Sequence, residues 1–262
     1  NDAPALHKAD IGIVVNEGTD VAKESADLIL LDSNFATVIS AIEEGRGMFE
    51  NIRKIILYLM SDAFAEIMVV IGGLILGLPL PITALQILWI NLISDGFPNL
   101  ALTVDPIRSG IMQEKPRSSG EPLINKWMMS LIGIISLISG LIAFIVFTLT
   151  YRLSGDLVLA RSLTFLTLGM NSLAYAFSVR SLMVPFWKNN LLENKWLILA
   201  ILAGLGLQIL PFINSSLQGF FKLKPLPVQF WLLAALLSLS LFFLVEFFKL
   251  IYRIPFVHKI LK

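Results

Sequence analysis

The chain has 262 residues, of which 56% are hydrophobic and 15% are charged, and its mean hydropathy is +0.79. A soluble domain is about 45–50% apolar and about 25% charged, so this composition excludes a water-soluble globule and a disordered chain. The formal net charge of +1 indicates no nucleic-acid partner, and a cysteine count of zero excludes disulfides, thiolate metal sites and a cysteine nucleophile. At about 20 residues per span, the length allows roughly six to eight membrane helices.

The first part of the chain is more polar than the rest and has the pattern of a soluble α/β domain. Residues 1–54 contain 15 of the 39 charged residues. The apolar, partly β-branched runs at 11–15 and 28–31 predict two buried strands. Turn residues before 21–26 predict one helix, and Asp32, Ser33 and Asn34 offer a cap for a second helix with apolar residues at helical spacing.

Six apolar segments predict six membrane-spanning helices, at 55–77, 82–104, 128–150, 159–179, 196–213 and 230–251. Residues 48–58 contain neither glycine nor proline, so the first span is predicted to continue a longer helix that joins the polar part to the membrane. The loops after spans two and four and the C-terminal tail together contain ten Lys and Arg, against four in the alternate loops. Both ends of this sequence are therefore predicted to face the cytoplasm.

The first two spans carry polar side chains at spacings that place them on single helix faces. Asp62 and Glu66 are four residues apart, and Asn91, Ser94 and Asp95 share one face of the second span. A carboxylate at the bilayer centre costs at least about 2.5–3.5 kcal/mol. Carboxylate, amide and hydroxyl oxygens suit hard cations such as Ca²⁺, Mn²⁺ or Na⁺. Glu66, Asn91 and Asp95 are thus predicted as a metal and cation site, with Ser94 and Asp62 as further candidates.

Two further features of the spans bear on the predicted cation site: a proline in the second span, and polar residues in the fourth. Pro98 has no amide proton for the carbonyl of Ser94, so we predict a locally unwound segment around Gly96 that exposes backbone oxygens to the cation. A single Asn or Ser in a span usually forms hydrogen bonds between helices. We favour that role for Asn171, Ser172 and Tyr175 in the fourth span.

Several segments resemble the P-type ATPases, and in particular the type II calcium pumps. The hinge end of the phosphorylation domain in that family is similar to NDAPAL at 1–6, ADIGI at 9–13, GTDVAK at 18–23, DLIL at 27–30, NF at 34–35 and EGR at 44–46. The sixth transmembrane helix of calcium pumps is similar to LWINLISDG at 88–96. Beyond residue 122 the resemblance rests on the placement of four further helices.

The resemblance implies a mainly α fold, in which a six-helix transmembrane bundle follows the C-terminal end of an α/β, HAD-like phosphorylation domain and a stalk helix. Residues 1–47 would be the end of that domain, and 48–262 the stalk and membrane part. Asn1 and Asp2 would lie at the periphery of the catalytic phosphoryl-transfer site, which uses ATP and Mg²⁺. The family's nucleophile belongs to a DKTG motif that this chain does not contain. The chain alone is therefore expected to be inactive, as a fragment that needs the N-terminal part of the same pump: four helices and the actuator, nucleotide-binding and phosphorylation domains.

The resemblance also bears on which cation is moved. In two-site members of the family, Glu66, Asn91, Ser94 and Asp95 match a Glu, an Asn, a Thr and an Asp of the binding sites. Ala63 stands where those members have an Asn ligand, and the eighth-helix Glu falls near Gly169. Two ligands of the first site are thus missing, which predicts one Ca²⁺ per cycle. Asp62 restores some charge, which leaves Na⁺ and Mn²⁺ as alternatives.

The protein is expected to be a multi-pass protein of the plasma (inner) membrane. Its expected partner is the lipid bilayer, and no nucleic-acid partner is expected. A non-enzymatic six-helix channel or permease also explains the polar face of the first two spans, and a regulatory membrane subunit is a third hypothesis. Only the pump explains that face together with the NDAPAL segment.

Overall fold

The structure of the protein is a computed structural model that describes residues 2–117, 120–181, 185–188 and 190–252. The chain divides into two compact units. Unit 1 comprises Asn1–Phe49 and Ile107–Pro116, and unit 2 comprises Glu50–Pro106 and Arg117–Lys262.

Unit 1 contains a small parallel sheet with short helices. Its elements in chain order are α1 (Ala3–Lys8), β1 (Ile13–Val15), α2 (Asp20–Glu24) and β2 (Leu28–Leu30). The strands pair in parallel with Ile13 opposite Leu28, which confirms both predicted strands but not their predicted burial, because Ile13 and Ile29 are exposed. Thr19 caps α2 by accepting a hydrogen bond from the amide of Ala22. The sequence did not predict α1, which begins with Pro4 in its first turn, where the fixed φ of proline favours a helix.

The long helix α3 (Phe35–Ile75) has 41 residues and contains most of the first predicted span. It begins where the sequence indicates, because the side chain of Asn34 accepts a hydrogen bond from the amide of Ala36 at 2.9 Å. The predicted continuation through 48–58 is confirmed. The helix ends before Gly77, whose φ of +62° is the left-handed conformation that only glycine adopts readily.

Four further long helices belong to unit 2: α6 (Lys126–Ser154), α7 (Leu157–Val179), α8 (Lys195–Ile213) and α10 (Val228–Tyr252). They cover the third to sixth predicted spans, and the short α9 (Ser215–Phe221) lies between the last two. Within the described residues, these four and α3 are the five helices long and apolar enough to cross a membrane. The protein is therefore a mainly helical membrane bundle.

The second predicted span, 82–104, is not one continuous α-helix. It consists of α4 (Ala84–Trp89), a π-helix (Ile90–Asp95) and α5 (Gly96–Thr103). The local unwinding predicted around Gly96 is instead a π-helix that ends at Asp95, and α-helical geometry returns at Gly96, before Pro98. The carbonyl of Ser94 accepts a hydrogen bond from the Tyr58 hydroxyl at 3.0 Å. A carbonyl oxygen has two lone pairs, so its exposure to a cation stays a prediction.

Helix α7 lies inside the bundle, where it packs against α6, α8, α10 and the π-helix. The mean hydropathy of its most apolar stretch is 1.3, against 2.6 for that of α6 and 2.3 for that of α10. The most apolar stretch of α7 is nevertheless 67% buried, whereas that of α10 is 28% buried. The polar side chains of α7 consequently pack against neighbouring helices, which places the polar interior of the bundle around this helix.

A buried ion cluster, which we call the Asp105 cluster, connects the end of α5 with α3 and α7. The carboxylate of Asp105 accepts hydrogen bonds from Lys54 at 2.7 Å, Arg180 at 2.9 Å and Asn194 at 2.8 Å. Asn51 adds a bond to the Asp105 carbonyl at 2.9 Å. These side chains are at least 92% shielded from solvent, so each charge depends on its partners.

Replacing Asp105 by alanine is expected to destabilise unit 2, because two buried cations lose their carboxylate. Removing one partner of a buried ion pair costs about 3–5 kcal/mol. Thermal unfolding of the purified protein in detergent measures the loss. Glu114→Ala, which breaks the exposed ion pair with Arg108, is the control and should cost at most about 1 kcal/mol. Equal stability of the two variants would contradict this assignment.

At the start of α7, Asp156 is a partly buried carboxylate with three donors. One oxygen accepts hydrogen bonds from the amides of Val158 and Leu159 at 3.0 Å each, and the other contacts the ammonium of Lys224. The hydrogen bond from Lys224, followed by that from the Leu159 amide, holds the pKa of Asp156 below its ordinary value. The carboxylate thus stabilises the folded state above its unfolded pKa, and this contribution is lost as pH falls through the lowered folded pKa.

Lys224→Met is expected to bring the pKa of Asp156 back toward its ordinary value. The variant should unfold at a lower temperature than the wild type at pH 7, and the difference should shrink as pH falls below about 4, where Asp156 becomes protonated in the unfolded chain. Thermal unfolding in detergent between pH 7 and pH 3 tests this. Lys222→Met removes a neighbouring charge and serves as the control. A difference between Lys224→Met and wild type that persists unchanged at pH 3 would exclude the ion pair as its source.

Candidate functional site

Polar side chains from α3, the π-helix, α7 and α8 meet inside unit 2 and form the candidate site. They fall into two groups by their contacts. The Ser172 group consists of Ser172, Asp62, Asp95 and Tyr58, and the Glu66 pair consists of Glu66 and Asn91.

The Ser172 group is fully enclosed. The hydroxyl oxygen of Ser172 lies 2.5 Å from Oδ1 of Asp95, 2.9 Å from Oδ2 of Asp62 and 2.6 Å from the Tyr58 hydroxyl. Tyr175 supports Tyr58 by donating to its backbone carbonyl at 3.0 Å. A serine hydroxyl has one proton, so Ser172 cannot donate to both carboxylates at once. The arrangement therefore concentrates more acceptor oxygens than hydrogen-bond donors.

Asp95 has the least compensated carboxylate of the group. Its side chain is 0% exposed, and Oδ2 has no hydrogen-bond donor among the described residues. A buried acceptor without a donor costs about 1–3 kcal/mol, and more when it is charged. An oxygen of this kind fits a cation.

The Glu66 pair joins α3 to the π-helix. The amide nitrogen of Asn91 donates to the two carboxylate oxygens of Glu66 at 3.1 and 3.3 Å, and to the carbonyl of Ile87 at 3.0 Å. Glu66 is buried, but it also lines an open pocket of about 240 Å³ whose other walls are Ile67, Val70, Ile71 and Ile87. Glu66 therefore borders an apolar opening, unlike the enclosed Ser172 group.

The predicted site residues lie near one another, but each contacts a different partner. Glu66 contacts Asn91, Asp95 contacts Ser172, and the side chain of Ser94 contacts Gln208 of α8 at 3.3 Å. Within the part of the chain that the structure describes, no three acidic, histidine or cysteine side chains are arranged to hold a metal ion by themselves. A cation here would also need hydroxyl, amide or carbonyl oxygens.

The residues predicted for phosphoryl transfer lie in unit 1. Asp2 is exposed and precedes α1, and its carbonyl accepts hydrogen bonds from the amides of Ala5 and Leu6. Asn1 lies outside the described residues. Their role stays a prediction.

The favoured interpretation of the fourth span, hydrogen bonds between helices, is confirmed. Asn171 donates to Ser139 of α6 at 3.0 Å and accepts from Ser238 of α10 at 2.9 Å. The sequence did not indicate that the partners of Ser172 would be the two aspartates. It did not assign Tyr58 or Gln208 to the site either, although Gln208 stands out as a single polar residue in an apolar helix.

Comparison with known proteins identifies the family of this chain. Residues 79–251 match the family described as "Cation transporting ATPase, C-terminus". The chain is 38% identical to a calcium-transporting ATPase of Bacillus subtilis over 89% of its length, and 35% identical to calcium-transporting ATPase 1 of Bacillus cereus over 95%. It is 36% identical to the cation-transporting ATPase pma1 of Synechocystis over 90% of its length.

The chain spans 26% to 30% of the length of these relatives. The matched region extends from the hairpin before α4 to the end of α10 and includes the π-helix and α7. By this match the chain belongs to the cation-transporting ATPase family, as a C-terminal part.

Proposed function

We propose that this chain is the cation-path portion of an ATP-driven P-type pump that moves Ca²⁺ out of the cytoplasm. Two of the relatives are named calcium-transporting ATPases. Because the chain corresponds to about a quarter of each relative, ATP and Mg²⁺ would be used by the rest of the intact pump. Alone, without a DKTG motif, the chain is expected not to hydrolyse ATP.

The observation that carries the proposal is the uncompensated carboxylate of Asp95. Among the described residues, none of the buried cations forms an ion pair with Asp62, Glu66 or Asp95, and Oδ2 of Asp95 has no donor. Ionisable side chains inside membrane helices are rare, and they mark ion or substrate pathways and proton relays. A transported cation supplies the missing positive charge.

The chemistry of the donors favours a hard cation. Carboxylates of Glu66 and Asp95, the amide oxygen of Asn91 and the hydroxyl of Ser94 offer only oxygen, which suits Ca²⁺. Asp62 adds a third carboxylate near Asp95, which keeps Na⁺ and Mn²⁺ as alternatives for the same pump.

The membrane arrangement is part of the proposal. The three helical segments from residue 84 to 103 together have twenty residues, enough for about 30 Å of helix, so we take them as the second of six spans. Both ends of the sequence would then face the cytoplasm, with unit 1 as the end of the HAD-like phosphorylation domain and the protein in the inner membrane.

Asp95→Asn and Glu66→Gln are expected to weaken the stimulation of ATP hydrolysis by Ca²⁺ in the full-length pump that contains this chain. Each removes a negatively charged ligand, so the half-saturating Ca²⁺ concentration should rise by about tenfold or more. ATPase assays with Ca²⁺, Mn²⁺ and Na⁺ measure the effect. Glu114→Gln changes an exposed carboxylate outside the membrane helices and is the control.

Unchanged stimulation in both site variants would remove Glu66 and Asp95 from the site. Stimulation of the wild type by Na⁺ or Mn²⁺ but not by Ca²⁺ would contradict the assignment of the cation. No stimulation by any of the three would contradict the pump itself.

One Ca²⁺ is expected to bind per phosphorylation site in the full-length pump. Ala63 and Gly169 have no oxygen in their side chains, so the first of the two family sites lacks two ligands. Equilibrium binding of radioactive calcium, divided by the maximal amount of phosphoenzyme, gives the ratio. A ratio of two would show that this prediction is wrong.

A further inference from the structure

Gln208 is an amide buried in an otherwise apolar helix. Between Trp196 and the end of α8 at Ile213, every other side chain is aliphatic or aromatic, or is that of glycine, alanine or proline. Gln208 is 1% exposed, and a buried amide without partners is costly. Its position inside the bundle therefore depends on the groups around it.

Two hydrogen bonds orient the amide. Its nitrogen donates to the carbonyl of Phe165 in α7 at 3.2 Å, and its oxygen accepts from the hydroxyl of Ser94 in the π-helix at 3.3 Å. A carbonyl can only accept, so the nitrogen must face Phe165 and the oxygen must face Ser94. Ser94 is therefore the donor in the second bond, although that bond is long.

The space for this amide exists because residue 169 is a glycine. A Cβ atom built on Gly169 would lie 2.4 Å from the amide nitrogen of Gln208 and 2.6 Å from its carbonyl carbon. Both distances are far below van der Waals contact. Any side chain at position 169 would displace the amide, so Gly169 and Gln208 form a matched pair across α7 and α8.

The consequence for Ser94 concerns the direction of its hydroxyl proton. Ser94 is fully buried and directly precedes Asp95. When its proton points to Gln208, the oxygen lone pairs are left free for another group. Without an acceptor at Gln208, the hydroxyl would rotate toward another acceptor and its lone pairs would turn with it.

We infer that Gln208 is a positioning residue of the cation site, which orients the Ser94 hydroxyl so that its oxygen serves as a ligand. The inference rests on the proposed function, since it assumes that a cation binds beside Asp95. It makes the apolar helix α8 a contributor to cation affinity, through the volume that Gly169 leaves open.

The experiment measures the half-saturating Ca²⁺ concentration and the maximal rate of the full-length pump for Gln208→Leu, Ser94→Ala and the double variant. Gln208→Leu removes one neutral hydrogen bond, so we expect the half-saturating concentration to rise about three- to tenfold, with little change in maximal rate. The double variant should resemble Ser94→Ala, because Gln208 acts through that hydroxyl. If the fold-changes of Gln208→Leu and Ser94→Ala multiply in the double variant, the two residues act independently and the inference is overturned.

Gly169→Ala is the second variant, for the case in which Gln208→Leu does not fold. It keeps the amide but displaces it, and the bond to Ser94 is already 3.3 Å long, so the half-saturating concentration should rise as it does in Gln208→Leu. Gln86→Leu is the matched control, because Gln86 is also a buried amide that bonds a carbonyl, that of Phe221, at 2.9 Å. The control should lose thermal stability without a change in Ca²⁺ dependence.

The two proposals fail in different ways. If Asp95→Asn abolishes stimulation while Gln208→Leu and Gly169→Ala leave the Ca²⁺ dependence unchanged, the role of Gln208 is wrong and the pump stands. If no cation stimulates the wild type, the proposed function is wrong. An equal shift in Gln86→Leu would show that the effect is a general response to a lost interhelical bond, and would also overturn the inference.

Discussion

The hydroxyl of Ser172 is the contact on which the polar interior of the bundle depends. It joins three elements, since it contacts Asp62 and Tyr58 of α3 and Asp95 of the π-helix from its own place on α7. Apolar surfaces alone would let these helices slide against one another in a membrane, because lipid is as apolar as a leucine side chain. Hydrogen bonds between buried polar groups fix the register of these helices instead.

Unit 2 contains buried charges of two kinds, and the difference separates structure from function. Asp105 has three donors, and Glu246 accepts from Ser178 at 2.6 Å and from Lys249 at 2.8 Å. These carboxylates are neutralised by protein groups and hold helices together. Asp95 has one donor, shared with Asp62, and one oxygen without any. A cationic donor therefore distinguishes the structural ion clusters from the candidate cation site, whose carboxylates have none among the described residues.

Much of the fold could be predicted from the sequence, because it depends on short-range patterns. The strands of unit 1, the start of α3 at its Asn34 cap and the positions of the last four spans follow from apolar periodicity and turn residues. The break in the second predicted span was only partly predicted. Pro98 indicates where a helical hydrogen bond is missing, but whether the chain frays or widens into a π-helix depends on what satisfies Ser94, and that is Tyr58 from another helix.

In the candidate site, too, some features could be predicted from the sequence and others depended on tertiary contacts. The i, i+4 spacing of Asp62 and Glu66, and the shared face of Asn91, Ser94 and Asp95, are local facts that marked these residues as a group. Their partners were out of reach of such reasoning, because Ser172 lies 77 residues from Asp95 and Gln208 lies 114 from Ser94. Spacing along one helix cannot say which side chains of other helices meet it.

The sequence by itself determined that this protein is a chain of apolar helices with carboxylates at membrane depth, since composition and periodicity are properties of the chain alone. The tertiary structure decided which carboxylates are neutralised within the protein and which are not. That outcome depends on the donors that neighbouring helices bring: the cations Lys54 and Arg180 to Asp105, but only hydroxyl groups to Asp62 and Asp95. Such contacts exist only once the helices are packed.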